Sequence, residues 1–113
     1  MIRQHTFRVR TAGRGTLEIT DRVQAVVAEF GVVTGLCNVF IHHTSASLLI
    51  TENADPSVQQ DLDAFLTRLV PDGDRLYSHT AEGPDDMPAH VRSVLTATTL
   101  SIPVAQGQCL LGN

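Results

Sequence analysis

The sequence predicts an α+β fold in a single compact domain covering residues 1–113. Three observations predict it. Three stretches carry helix caps or apolar residues at helical spacing. Around them lie short apolar or alternating runs bounded by Gly, Pro and Asp. The order along the chain, ββαββααββ, groups strands with strands instead of alternating each with a helix, which is the α+β pattern and not βαβ.

Residues 2–10 alternate loosely, with Phe7 and Val9 on one face, and residues 14–20 repeat the pattern with Leu17 and Ile19. Gly13 and Gly15 between them predict a hairpin. Val23, Val26, Val27 and Phe30 fall at i, i+3, i+4 and i+7, giving a short amphipathic helix with Asp21 as N-cap and Gly31 as stop. Leu36 to His43 reads as a strand with both faces largely apolar, and Ala46 to Thr51 as another. Asp55-Pro56 opens a second helix, with Asp at the cap and Pro at the first helical position. Its expected buried stripe is Val58, Leu62, Phe65, Leu66 and Leu69, and Pro71-Asp72-Gly73 ends it. Residues 72–87, rich in Gly, Pro and Asp, predict a loop around a short extended piece at Leu76-Tyr77. A third helix is predicted to start at Pro88, with Asp85 and Asp86 just ahead, where negative charge is favoured. Leu100–Val104 and Cys109–Leu111 are short strands joined through Gln106-Gly107-Gln108.

Composition narrows the function classes. The net charge of −4 argues against a duplex-binding surface, which needs clustered phosphate-neutralising cations. All eight cations are Arg, so Schiff-base chemistry on a lysine is excluded. No stretch approaches the ~18 apolar residues of a membrane helix. Met1-Ile2-Arg3-Gln4-His5 runs straight into a polar alternating segment without the apolar core of a signal peptide. A cytoplasmic protein with no membrane partner is expected, and in that setting Cys37 and Cys109 read as free thiols.

Four of the five histidines lie in two polar clusters. The first runs His42-His43-Thr44-Ser45-Ala46-Ser47 and on to Glu52-Asn53-Ala54-Asp55. Hydroxyls, imidazoles and carboxylates at the ends of apolar strands give up burial energy, and functional sites are where proteins tolerate that. Ordinary turn hydrogen bonds and a helix cap at Asp55 are the competing explanation. In the second cluster, His79 and His90 bracket Glu82, Asp85 and Asp86 across a loop that Gly83, Pro84 and Pro88 can fold back. The helix end beside His90 also suits a phosphate. His43, His79 and His90 together would offer three nitrogen ligands with a fourth position open, as in catalytic zinc sites. Glu52, Glu82 and Asp86 would orient the imidazoles or serve as general base. A magnesium–pyrophosphate site would use the carboxylates more directly, and both readings stay open. A Ser/His/Asp hydrolase is disfavoured because the Gly-x-Ser-x-Gly elbow is missing. A P-loop and a dinucleotide glycine fingerprint are absent as well. His5 and His42 read as structural or surface residues.

Three motifs, His43-Thr44-Ser45-Ala46-Ser47-Leu48, Glu52-Asn53-Ala54-Asp55 and His79-x-x-Glu82-Gly83-x-Asp85-Asp86-Met87-Pro88-Ala89-His90, closely resemble the YjbQ-like family, which carries the label secondary thiamine-phosphate synthase. The similarity runs from the Arg8–Thr20 segment to Leu110–Gly112. The resemblance implies a β-sandwich-like, mostly antiparallel sheet with about three helices outside, assembled as a homotrimer or a multiple of one. It implies a divalent metal, zinc first and magnesium second, near His43, His79 and His90. The implied reaction joins a pyrimidine pyrophosphate to a thiazole phosphate, giving thiamine phosphate and pyrophosphate. The family pattern continues past the position of Asn113 with Trp-x-Gly-Ile and a later Glu-His-Arg. The chain is therefore expected to lack the family's C-terminal strands and to expose a sheet edge.

The expectation is thus a metal-dependent transferase acting on a small phosphorylated metabolite. Its metal would sit on His43, His79 and His90, and Glu52 and Asp86 would move protons. Thr44, Ser45, Ser47, Asn53, Asp55 and Arg92 would hold the substrate. The alternative is a non-catalytic, metal- or metabolite-binding oligomer.

Overall fold

A computed structural model describes residues 1–112. Three helices, α1 (Thr20–Phe30), α2 (Pro56–Leu69) and α3 (Asp86–Leu95), accompany three strands, β1 (Gly35–Phe40), β2 (Thr99–Ala105) and β3 (Gln108–Cys109). The strands form one sheet in the order β1-β2-β3. The α+β class therefore holds, with a single three-stranded sheet among the described residues where the resemblance implied a sandwich. None of the described helices is long and apolar enough to cross a membrane.

The chain divides into two compact units. The first comprises Met1–Asn38 and Ser101–Leu111. Its buried side chains are Val23 and Val27 from α1 and Ile102, Val104 and Cys109 from the strands. β2 and β3 pair antiparallel, Val104 opposite Cys109 and Ala105 opposite Gln108. Gln106 and Gly107 connect them at φ 53° and 78°. Two successive positive φ values are the mark of a two-residue hairpin turn whose twist matches its strands. The Gln24 side-chain oxygen accepts from the Cys109 amide at 3.0 Å and ties α1 to β3. Both cysteines are free thiols; burial, with Cys37 contributing, pushes the Cys109 thiol up from its ordinary range, which keeps it protonated and unreactive.

Two expectations for this unit need correction. Residues 1–19 form no strand, so the hairpin is absent. The Arg22 guanidinium lies 4.4 Å from the centre of the Phe7 ring and donates to the Arg8 carbonyl at 2.9 Å. A helix side chain thus holds this segment in place of a cross-strand ladder, and Leu17 is left exposed. α1 starts one residue before Asp21, with Ile19 at the cap position and no side-chain cap. Asp21 contributes only its charge in the first turn. Gly31 ends the helix as expected, its amide bonded to Ala28.

The second unit, Val39–Leu100, contains α2 and α3. Asp55 caps α2 as its sequence predicts, accepting from the Ser57 amide at 2.9 Å, and Pro56 occupies the first helical position. The stripe on α2 is only part-covered: Val58, Leu62 and Leu66 are half-buried, while Phe65 and Leu69 stay exposed. Ala46 to Thr51 is not a strand but an extended segment with one isolated bridge, Leu48 to Ala97. Beside that bridge, in which the Leu48 amide donates to the Ala97 carbonyl at 2.7 Å, side chains of α3 and of Thr96 at its end tie the segment down. Ser93 donates to the Ala46 carbonyl at 3.0 Å; Thr96 donates to the Arg92 carbonyl at 2.7 Å and so accepts from the Ser47 hydroxyl at 2.6 Å.

Candidate metal centre

α3 begins at Asp86, two residues before the expected start at Pro88. That places Asp86 inside the helix, one turn below His90. Residues four apart lie on one helical face, so helix geometry alone brings these two side chains together. The His90 Nε2 is 3.2 Å from the Asp86 Oδ2. The preceding loop returns His79 to the same oxygen, its Nε2 at 2.8 Å. The two rings meet edge to face, 5.7 Å between centroids. One ligand atom from each of His79, Asp86 and His90 falls within 4.8 Å of the others.

The orientation of His90 carries chemical information. Its Nδ1 is 2.9 Å from the Thr44 carbonyl oxygen, which can only accept, so Nδ1 bears the proton. In the neutral ring Nε2 is then a lone pair aimed at a carboxylate oxygen. Two lone pairs at 3.2 Å are reconciled by a second proton or by a cation between them. An imidazole donating its far N–H to a carbonyl is also the usual posture of a metal-ligating histidine.

Asp86 is the anion of the group. Its hydrogen bond with His79 comes first, Glu82 second, and the neighbouring imidazoles add to both. Together they hold its carboxyl below the usual carboxylate range, against a partial burial that pushes the other way. Glu82 approaches His79 Nε2 to 3.6 Å from an exposed position.

The other candidates are placed differently. His43 is exposed and lies outside the convergent group; its Nδ1 accepts from the Ser45 amide at 3.0 Å, with the Ser45 hydroxyl at 3.2 Å. Glu52 is exposed and also outside the group. Thr44 takes part through its backbone carbonyl. The Ser47 hydroxyl is engaged by Thr96, the Asn53 side chain by Gln59 at 2.6 Å, and Asp55 by the α2 amide it caps. Arg92 is mostly buried and donates to the Val70 carbonyl at 2.8 Å, closing the end of α2. These contacts give Ser47, Asp55 and Arg92 structural work where the sequence suggested substrate contacts. Ser93, buried on α3 one turn beyond His90, did not stand out in the sequence. Its signal is the spacing of three from His90 to Ser93 and again to Thr96, a polar stripe on one helical face.

Residues 5–113 match the family described as UPF0047 protein YjbQ-like. The UPF0047 protein sll1880 of Synechocystis is 51% identical over 109 residues, covering 96% of this chain and 74% of that protein. The UPF0047 protein YjbQ of Escherichia coli O157:H7 is 39% identical, covering 96% and 79%. Among solved structures, a conserved hypothetical protein from Thermus thermophilus superposes with a TM-score of 0.82 at 34% identity, over 93% of this chain and 79% of its own. A YjbQ/UPF0047-family protein of Clostridium acetobutylicum gives 0.81 at 34% identity, with the same coverage.

Proposed function

The chain belongs to the YjbQ-like UPF0047 family, and from that premise we propose a divalent-metal-dependent enzyme, with the metal on His79, Asp86 and His90, that acts on a small phosphorylated metabolite. The observation that carries this reading is the convergence of two imidazole nitrogens and one carboxylate oxygen within 4.8 Å, with His90 held by the Thr44 carbonyl. Two histidines and a carboxylate suit zinc and leave a coordination position open. This donor set substitutes Asp86 for the His43 suggested by the sequence. A bound ion would supply Lewis-acid polarisation of a phosphoryl or carbonyl oxygen, or a water acidic enough to act at neutral pH.

Around that ion the chain's own groups have separable tasks. The Thr44 carbonyl keeps the proton of His90 on Nδ1 and its lone pair on Nε2. Asp86 brings negative charge between the rings. Glu82, exposed beside His79, is placed to exchange protons with solvent. The thiamine-phosphate synthase reaction implied by the motif resemblance is the first to assay.

One observation favours a non-catalytic binding role instead: Ser47, Asn53 and Asp55 already have partners within the protein, which leaves fewer groups free to grip a substrate. The deciding experiment measures zinc per chain by mass spectrometry on protein purified without tag or chelator, with turnover followed on the same sample. Near-stoichiometric zinc that disappears in His90→Ala, together with product formation, supports the enzyme. Full zinc occupancy in both His79→Ala and His90→Ala would sink the site. Zinc without any turnover moves the assignment to the binding role.

A further inference from the structure

The loop before α3 closes on itself. The Gly73 amide donates to the Pro84 carbonyl at 3.0 Å, joining its two ends. Inside it, the Asp74 carboxylate accepts from the Leu76 amide at 2.9 Å and the Asp74 carbonyl accepts from Tyr77 at 3.2 Å. A second turn is pinned by Gly83 to Thr80 at 3.1 Å. Gly83 sits at φ 105°, and a Cβ there would lie 3.1 Å from the Asp85 carboxylate, so this turn requires glycine.

The closed loop frames an open cleft of about 340 Å³, lined among others by Arg75, Tyr77, His79, Thr80, Pro84 and Met87. That volume is at the lower end of the range for small-molecule sites, ~300–1,000 Å³. His79 belongs to both places: its ring lines the cleft while its Nε2 faces Asp86. The walls offer an aromatic ring, a proline and a methionine. The cation is Arg75, whose guanidinium has no hydrogen bond or ion pair among the described residues. Its neighbour Asp74 already has one carboxylate oxygen on the Leu76 amide. Residues 39–100 carry nine Asp and Glu but only three Arg: Arg68, Arg75 and Arg92. Arg92 is committed to Val70, and Arg68 does not line the cleft. One guanidinium on a lining that also carries the Asp74 carboxylate suits a ligand with one anionic group and disfavours a polyphosphate.

We propose that this cleft seats the body of the substrate, a flat ring against Tyr77, Pro84 and Met87, whose single phosphate or carboxylate meets Arg75. The proposal rests on the metal-centre reading only in that His79 joins the two places. It is tested by calorimetric titration of phenyl phosphate, inorganic phosphate and pyrophosphate into zinc-loaded and metal-stripped protein. Phenyl phosphate is expected to bind at least about tenfold more tightly than either inorganic anion, through burial of its ring. Arg75→Gln, on an exposed turn, is expected to weaken it about tenfold without changing zinc content. Equal binding of pyrophosphate by the metal-stripped protein, where the cleft alone is read, or an unchanged phenyl phosphate affinity in Arg75→Gln, overturns the proposal. Arg75-dependent binding by a protein that holds no zinc keeps the cleft and removes the metal reading. Zinc binding without phenyl phosphate binding does the reverse.

Discussion

Segments 42–55 and 79–90 draw on the same side chains, imidazoles, hydroxyls and carboxylates, yet their contacts differ in kind. In 42–55 the groups are shared out one by one: His43 with Ser45, Ser47 with Thr96, Asn53 with Gln59, Asp55 with Ser57. In 79–90 two imidazoles turn toward one carboxylate oxygen. Backbone geometry explains the difference. β1 ends at Phe40 and residues 42–48 follow it without a helical turn that would stack side chains, so their polar groups find separate partners. A helical turn stacks residues four apart, and a closed loop adds a third group from outside. Chemistry concentrates where the backbone curves back on itself.

The largest test of that contrast is loss of a converging group. His90→Ala is expected to reduce zinc affinity by at least about 100-fold, more than the ~10–100-fold typical of losing an outer-shell partner, with His79→Ala similar. Competition with a chromogenic chelator measures it. A loss of only a fewfold would mean the three groups do not act together, and the contrast would fail.

Next is the stitching of the extended segment to α3. Ser93→Ala removes a buried hydroxyl and leaves the Ala46 carbonyl without its donor, at an expected cost of ~1–2 kcal/mol. Urea unfolding of the metal-stripped protein reads this directly. An unchanged midpoint would mean that Ala46–Thr51 is held by something other than the α3 side chains.

How much of this was legible follows from the range of the interactions involved. The Asp55-Pro56 start of α2, the Gly31 stop of α1 and the turn at Gln106-Gly107 each depend on residues within a few positions, and the sequence reveals them. The hairpin at 2–20 fails because Arg22, on the following helix, takes Phe7 and Arg8. The strand at 46–51 fails because its side-chain partners lie 47 and 49 residues away, on α3 and at its C-terminal cap. Arg92 reads as a phosphate contact from its place one turn into α3, and its bond to the Val70 carbonyl, 22 residues back, is not visible in the local sequence. The converging group is legible as residue types, His79 and His90 as ligands and Asp86 as the carboxylate that orients them or serves as base. What the sequence does not show is that α3 starts early enough to stack Asp86 under His90, where one oxygen meets both imidazoles.

His43 sharpens the comparison from the other side. It stands in the other histidine cluster, yet lies outside the converging group. His43→Ala is expected to change zinc affinity by less than about threefold, below ~1 kcal/mol. A loss as large as that of His90→Ala would return His43 to the ligand set and make the two segments one site.

The smallest effect is a pH dependence confined to 42–55. The Asp55 carboxyl is lowered from its ordinary value, first by the Ser57 amide it accepts from and then by the Ser57 hydroxyl, with slight opposition from burial. A carboxyl lowered by folding stabilises the folded state above its unfolded pKa, and that contribution disappears as pH falls through the folded value. Asp86 is lowered too, so acid titration of the wild-type protein alone would mix the two. Metal-stripped Asp55→Asn isolates the cap, since asparagine caps helices without the charge. Its urea midpoint is expected below that of the wild type at neutral pH, with the gap closing as pH falls into the acid range. A gap that widens in acid, or stays constant, would mean that Asp55 does not hold the start of α2 through its charge.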